Sequence, residues 1–262
     1  MSLSLAAFAP HSPLLLPAVG KSNLQSLALT IAAYEKLTKS LAEKKITTVV
    51  VISPLGLMQP GAFTINVEPE FDCRFEAFGD LATNFKARGD IELAQELKNA
   101  LGDKYHLQLT SVKELDYGSA VPLFFIKQKL PKIKILPLYP ADGKLSSLFA
   151  FGQALRRELE ISPQKIALIA SGSLSQRLSK VSPAGYSPLA RGWDKKIIKE
   201  LLNGQTADIL QTDHKTRQEV KELGLNSLAI LLGAVDGIKQ TPRQLSYEHP
   251  FGVGLLVCEF GV

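Results

Sequence analysis

Two stretches, TVVVIS over 48–53 and IALIAS over 166–171, are apolar at consecutive positions. A strand with one wet face alternates apolar and polar residues. Strands without that alternation must be covered on both faces, as in a parallel sheet packed between helices. Short apolar strands of the same kind are read at 3–9, 47–53, 132–139, 165–170 and 254–260. Helical stretches fall between them, at 91–101, 120–128, 143–160, 190–203 and 225–235. A further helix is expected to open at Ser22 as N-cap, with Leu24, Leu27, Ala28, Ile31, Leu37 and Leu41 on one stripe. Alternating strands and helices predict an α/β fold, a layered α/β/α domain with a largely parallel central sheet. The segment 61–79 differs. Thr64, Asn66 and Glu68 alternate with Phe63, Ile65 and Val67, which predicts an inserted β-hairpin beside the main sheet.

The chain has 262 residues. Area scaling gives a folded surface near ~11,000 Å² against ~41,000 Å² for the extended chain, so a large core is available without staples. No repeat, low-complexity tract or linker divides the sequence, and residues 1–262 are read as a single domain. Thirty basic against 25 acidic residues gives a net charge of +5. The lysines are scattered rather than gathered into a stripe, so nucleic acid is not an expected partner. The opening MSLSLAAFAPHSPLLLP is apolar, but its first basic residue is Lys21 and prolines interrupt it, so it reads as a buried strand and loop rather than a signal peptide. No stretch reaches the ~18 apolar residues of a membrane span. Two cysteines, Cys73 and Cys258, make no disulfide framework, and a cytoplasmic setting is expected.

Ligand sites in such folds lie at the carboxyl ends of the strands. Three polar loops follow expected strands: Pro10-His11-Ser12-Pro13, Ser53-Pro54-Leu55-Gly56 and Ser171-Gly172-Ser173-Leu174-Ser175-Gln176. The serines do not have the Gly-x-Ser-x-Gly spacing of a nucleophile elbow. There is no P-loop, no Gly-x-Gly-x-x-Gly after the first strand, and no zinc-ligand spacing. Gly252-Val253-Gly254 suits close backbone packing. His11 stands between two prolines that fix the backbone, and reads equally as a hydrogen-bonded structural histidine or as a ligand.

Taken together the loops resemble the class III extradiol ring-cleavage dioxygenase family, a superfamily that includes the Memo-like proteins. The branch it is most similar to is the prokaryotic one that accompanies the AMMECR1 domain. The motifs carrying the resemblance run from 8–17 (FAPHSPLLLP) through Val50-Val51-Ile52-Ser53-Pro54, Leu115-Asp116-Tyr117-Gly118, Ile169-Ala170-Ser171-Gly172-Ser173-Leu174-Ser175, Gly192-Trp193-Asp194 and Gly224-Leu225-Asn226-Ser227 to Pro250-Phe251-Gly252-Val253-Gly254, in family order.

The resemblance implies a non-haem Fe(II) held by two histidines and a glutamate, with open positions for a catecholate and O₂ and a further histidine as acid/base. Carried over residue by residue, the first ligand is His11. The second falls on Leu55, which cannot coordinate. The acid/base position falls on Gln176 and the aspartate before it on Ser173. The Asp-His-Gly motif reads Asp116-Tyr117-Gly118. The third ligand falls at Glu222 or Leu223, with the register open by one residue, and Glu222 reads equally as a ligand or as a helix-end glutamate. His249 precedes the Pro-Phe-Gly-Val-Gly element and reads as a pocket residue or a surface histidine. The expected pocket is therefore lined by His11, Leu55, Tyr117, Ser173, Gln176, Glu222 and His249. The expected function is that of a dioxygenase relative whose iron chemistry is impaired, a pseudoenzyme. The alternative is a Memo-like protein that binds a small molecule or another protein. A small aromatic ligand and a homodimer are implied by the same resemblance.

Overall fold

In the computed structural model, which describes residues 2–57, 59–238 and 242–261, the apolar runs form the middle of a ten-stranded sheet. The strands are β1 (Leu3–Ala9), β2 (Thr48–Ile52), β3 (Thr64–Asn66), β4 (Glu70–Phe75), β5 (Asp80–Gly89), β6 (Gln108–Thr110), β7 (Lys134–Tyr139), β8 (Ile166–Ser171), β9 (Arg243–Glu248) and β10 (Leu255–Gly261). The helices are α1 (Pro17–Gly20), α2 (Ala28–Glu43), α3 (Ile91–Tyr105), α4 (Tyr117–Lys129), α5 (Leu145–Ile161), α6 (Ala190–Leu202), α7 (Thr206–Leu210), α8 (His214–Val220) and α9 (Leu225–Ala234).

The sheet runs β4-β5-β7-β2-β8-β1-β10-β9, and from β5 to β1 every neighbouring pair is parallel. Every residue of β2 and β8 is buried, as their lack of alternation requires. Successive side chains of a strand point to opposite faces. Thus Val50, Ile52, Leu168 and Ala170 pack with α3, α5, α6 and α9, whereas Val49, Val51, Ala167 and Ile169 pack with α2 and α4. The result is the expected α/β/α layering. The margins are antiparallel: β10 against β1, β9 against β10, and β4 against β5.

Two local expectations are corrected. The hairpin is β4–β5, over residues 70–89, and not the segment 61–79. β3 instead joins the sheet, antiparallel to β7 and parallel to β6. Its polar residues do not face water. Thr64 and Asn66 are both buried, and the Asn66 side chain exchanges two hydrogen bonds with the Val112 backbone, so at Asn66 the polar position marks internal satisfaction. Ser22 is not an N-cap. It lies in a 3₁₀ turn, Lys21–Leu27, entered through Lys21 at a positive φ of 49°, and α2 begins only at Ala28. The buried stripe of α2 is accordingly Thr30, Ala33, Tyr34, Leu37, Thr38 and Leu41, with Ala28 exposed.

Among the described residues, no helix is long and apolar enough to cross a membrane.

Candidate functional site

Because β1, β2 and β8 are parallel neighbours, their carboxyl ends open onto one edge, and the three polar loops meet there. His11 follows β1 and is buried. Its Nδ1 lies 3.1 Å from Oγ of Ser171, the last residue of β8. The Ser171 hydroxyl has one proton, and it donates that proton to the Gly118 carbonyl at 2.5 Å. Ser171 therefore accepts from His11, which fixes the tautomer: Nδ1 carries the hydrogen and Nε2 the lone pair. Among the described residues Nε2 has no hydrogen-bond partner. Burial lowers the imidazole pKa to about 4, so the ring is neutral at physiological pH.

The backbone before His11 is held from α2. Tyr34 stacks on Phe125 of α4, centroids 4.3 Å apart, and donates its phenol hydrogen to the Pro10 carbonyl. Tyr34→Phe leaves that buried carbonyl unpaired, and a loss of about 1–2 kcal/mol in urea denaturation is expected.

The second centre is Asp116, N-cap of α4. Its Oδ1 accepts from Ser53 Oγ at 2.5 Å and from the Ser119 amide at 3.0 Å, and its Oδ2 accepts from Ser119 Oγ at 2.8 Å. Burial raises its carboxyl pKa above the usual range, and the hydrogen bonds from Ser53, Ser119 and Tyr139 partly restore it. Ser53 in turn accepts from the Leu55 amide at 3.2 Å, so the loop after β2 is tied to the start of α4. Gly118 is needed at this junction. A Cβ there would lie 2.3 Å from Ser53 Oγ and 3.2 Å from Leu55 Cδ1. Leu55 is thus packed against the start of α4, where its side chain supplies only hydrocarbon.

Tyr117 meets His11 edge-on, ring centroids 5.8 Å apart, and meets Phe78 in the same way at 4.9 Å. With Leu55, Leu57, Phe78, Asp116 and Tyr139, it lines a cavity of about 450 Å³ whose rim carries Arg74 and Glu114.

Of the expected pocket residues only Leu55 and Tyr117 line this cavity; His11 lies behind the Tyr117 ring, and Ser173, Gln176, Glu222 and His249 are placed apart from it. The Ser173 backbone pairs with that of Leu223 in both directions, and its hydroxyl accepts from the Gln176 amide at 3.4 Å. His249 lies in the turn after β9, its ring 5.7 Å from that of Tyr247. Glu222 is engaged at both oxygens. Oε2 accepts from the amides of Gly224 and Leu225, at 2.8 and 2.7 Å, capping α9, and Oε1 accepts from Arg217 Nε at 2.6 Å. Its cavity, of about 400 Å³, is shared with Asp142, His214 and Arg217 rather than with His11. Glu222→Gln should cost about 1–2 kcal/mol in thermal or urea unfolding, since the ion pair is lost while one oxygen still caps the helix. The metal content of the purified protein should be unchanged.

Sequence reasoning missed Asp116, Ser53 and Ser171 as site residues. The signal for Asp116 was present: an Asp three residues before a Ser, ahead of an apolar run, is an N-cap pattern. It also missed Asp194 of α6. That residue is buried and accepts from the Ser175 amide at 2.9 Å and from Tyr247 Oη at 2.6 Å.

A facial Fe(II) centre requires three nitrogen or oxygen ligands converging on one point. His11 offers one. Leu55 offers none, Asp116 is committed to Ser53 and Ser119, and Glu222 to α9 and Arg217. Among the described residues no three His, Cys, Asp or Glu side chains are grouped so as to hold a metal ion. The residues present do not fit the iron that the resemblance implies.

The chain is thus a layered α/β protein whose polar loops and buried histidine gather at the carboxyl ends of parallel strands. The sequence profile described as the catalytic LigB subunit of aromatic ring-opening dioxygenase matches residues 5–258, and the chain belongs to that family. Protein CA_C1420 of Clostridium acetobutylicum is 30% identical over 268 residues, covering 97% of this chain and 56% of its own length. The chain thus spans little more than half of that curated relative. The crystal structure of the uncharacterized protein JW3007 from Escherichia coli K12 superposes with a TM-score of 0.68 at 19% identity, over 98% of this chain and 100% of the other, a likeness of fold.

Proposed function

We propose that this LigB-family chain binds a small aromatic ligand in the cavity beside Tyr117 and does not open aromatic rings with iron. The observation that carries the reading is the donor set. Leu55 stands at the family position of the second imidazole, packed on Gly118, and among the described residues His11 is left without a coordinating partner. Family members are typically metal-dependent, so the changed ligand set is a specific departure.

A cavity of about 450 Å³ holds a substituted single ring, and sites of this size are walled mainly by apolar and aromatic groups. Phe78 and Tyr117, with planes at 76°, can take a flat ring edge-to-face. Arg74 at the rim suits an anionic substituent. A homodimer remains a proposal from family likeness, for light scattering to test.

The test uses protocatechuate as the probe. The protein is incubated anaerobically with Fe(II), its bound iron is measured, and O₂ is then admitted. Binding of the probe that is indifferent to chelator, weakened about tenfold by Tyr117→Ala, without stoichiometric iron or ring-opened product, is the expected result. Tightly held stoichiometric iron together with ring-opened product overturns it. So does failure of the probe to bind while a partner protein binds through the same residues, the Memo-like alternative.

A further inference from the structure

Asp194 is a buried carboxylate in contact with three separate parts of the chain. From α6 it reaches the loop after β8 through the Ser175 amide, 2.9 Å from Oδ1. It reaches β9 through the Tyr247 hydroxyl, 2.6 Å from Oδ2. It also abuts the start of β10, where a Cβ on Gly254 would fall 2.1 Å from Oδ2. Gly254 is itself locked to the same loop, its amide donating to the Ser175 carbonyl at 2.7 Å and its carbonyl accepting from Leu174 at 2.9 Å. A buried carboxylate normally requires a cation or a full set of donors. Among the described residues Asp194 has no ion-pair partner.

The charged and titratable groups on the packed elements are otherwise disposed. On α6, Arg191 bears on Tyr247. On the loop after β8, Arg177 is engaged with Glu219. On β9, Glu248 accepts from the Thr30 amide, and beyond it His249 lies beside Tyr247.

We propose that Asp194 is a positioning residue for the loop that leaves Ser171 at the end of β8: in its charged form it fixes this loop, which carries Ser173 and Gln176, and loss of the charge loosens it. The chemistry follows from the two donors. A carboxylate accepts from Ser175 and Tyr247 at once. Once Oδ2 carries a proton and donates it to Tyr247 Oη, the Tyr247 hydroxyl must turn away from Asp194, its one hydrogen-bond partner among the described residues. The Ser175 bond also passes from charge-assisted to neutral and weakens. Burial only sets the pH of the change, raising the carboxyl pKa to about 6; the Ser175 and Tyr247 hydrogen bonds lower it, so by linkage protonation weakens those two bonds while the carboxyl stays buried. The importance of this loop for ligand binding rests on the reading of the site as a binding pocket; the positioning itself does not.

The test therefore needs no ligand. Trp193, the only tryptophan in the sequence, precedes Asp194 and serves as a fluorescent reporter. Its emission, and the hydrogen-exchange protection of the 173–177 amides, are followed from pH 8 to pH 5 in the wild type, Asp194→Asn and Tyr247→Phe. In the wild type a transition near pH 6 should accompany a fall in Ser175 protection of about fivefold beyond the intrinsic pH effect, the difference between a charged and a neutral hydrogen bond. Asp194→Asn should abolish the transition. Tyr247→Phe, which removes a donor to the carboxylate, should move it to higher pH. A flat wild-type profile, or a transition that survives Asp194→Asn, overturns the proposal. If Asp194→Asn does not fold, an unmoved transition in Tyr247→Phe overturns it equally. Failure of protocatechuate to bind would leave these readouts untouched.

Discussion

Replacement of Asp116 by Ala is expected to lower the free energy of unfolding by about 3–5 kcal/mol. Three of its hydrogen bonds have defined geometry, from Ser53 Oγ, the Ser119 amide and Ser119 Oγ, and Ser53 and Ser119 are both fully buried. Losing an N-cap side chain alone costs about 1 kcal/mol. The larger part arises because buried hydroxyls that lose their acceptor cannot turn to water, at about 1–3 kcal/mol each. Asp116→Asn separates the two effects. Its amide oxygen still caps α4, whereas its NH₂ faces Ser119 or Ser53, and a loss of about 1–2 kcal/mol is expected. The measurement is urea denaturation of the three proteins at one pH. A loss below about 1 kcal/mol for the Ala variant would mean that the Ser53–Asp116–Ser119 cluster is not what joins the loop after β2 to α4.

The same cluster shows where the sequence stopped being legible. The central strands could be read because a strand buried on both faces has one signature, a continuous apolar run, and β1 has it from Leu5 to Ala9, β2 from Val49 to Ile52 and β8 from Ile166 to Ala170. β5 and β9 were missed for the opposite reason: they lie toward the sheet margins, where exposed polar residues break the apolar run, and in β5 Asn84, Lys86 and Arg88 alternate with Phe85 and Ala87, a period of two that was overlooked. The polar residues of β3 misled because Asn66 satisfies its amide internally, against Val112, a partner 46 residues away. The site divides along the same line. His11, Leu55 and Tyr117 were legible through motif order, and the fold brings them to one edge. That Glu222 caps α9 was an open alternative until both of its oxygens could be seen engaged. Nothing local in the sequence announces that Asp194 reaches Ser175 and Tyr247, because those partners lie 19 and 53 residues away.

The buried neutral state of His11 should supply a large destabilising contribution to the acid limb of stability. An unfolded histidine titrates near 6.5; in the folded chain burial lowers that value to about 4. Above pH 6.5 the ring is neutral in both states and exerts no pH-dependent bias. Between 6.5 and 4 the unfolded chain takes up a proton that the folded chain refuses, so unfolding is favoured progressively as pH falls. Below 4 both states are protonated and the loss levels off. Integrated over this interval the loss is about 3 kcal/mol. The buried carboxyls act in the opposite direction. Asp194, raised to about 6, and Asp116, also raised, favour the folded state as they are neutralised, so the wild-type curve alone understates the histidine. The difference between the wild type and His11→Asn isolates it. An asparagine amide can still donate to Ser171 but takes up no proton. Its stability at pH 7.5 is expected to be lower than that of the wild type by about 1–2 kcal/mol, through lost packing. Toward pH 4.5 the two curves should converge and then cross, as only the wild type loses the histidine contribution. Parallel curves from pH 7.5 to 4.5 would mean that His11 takes up its proton as readily folded as unfolded. That result would remove the enclosed, neutral imidazole on which the reading of this site rests.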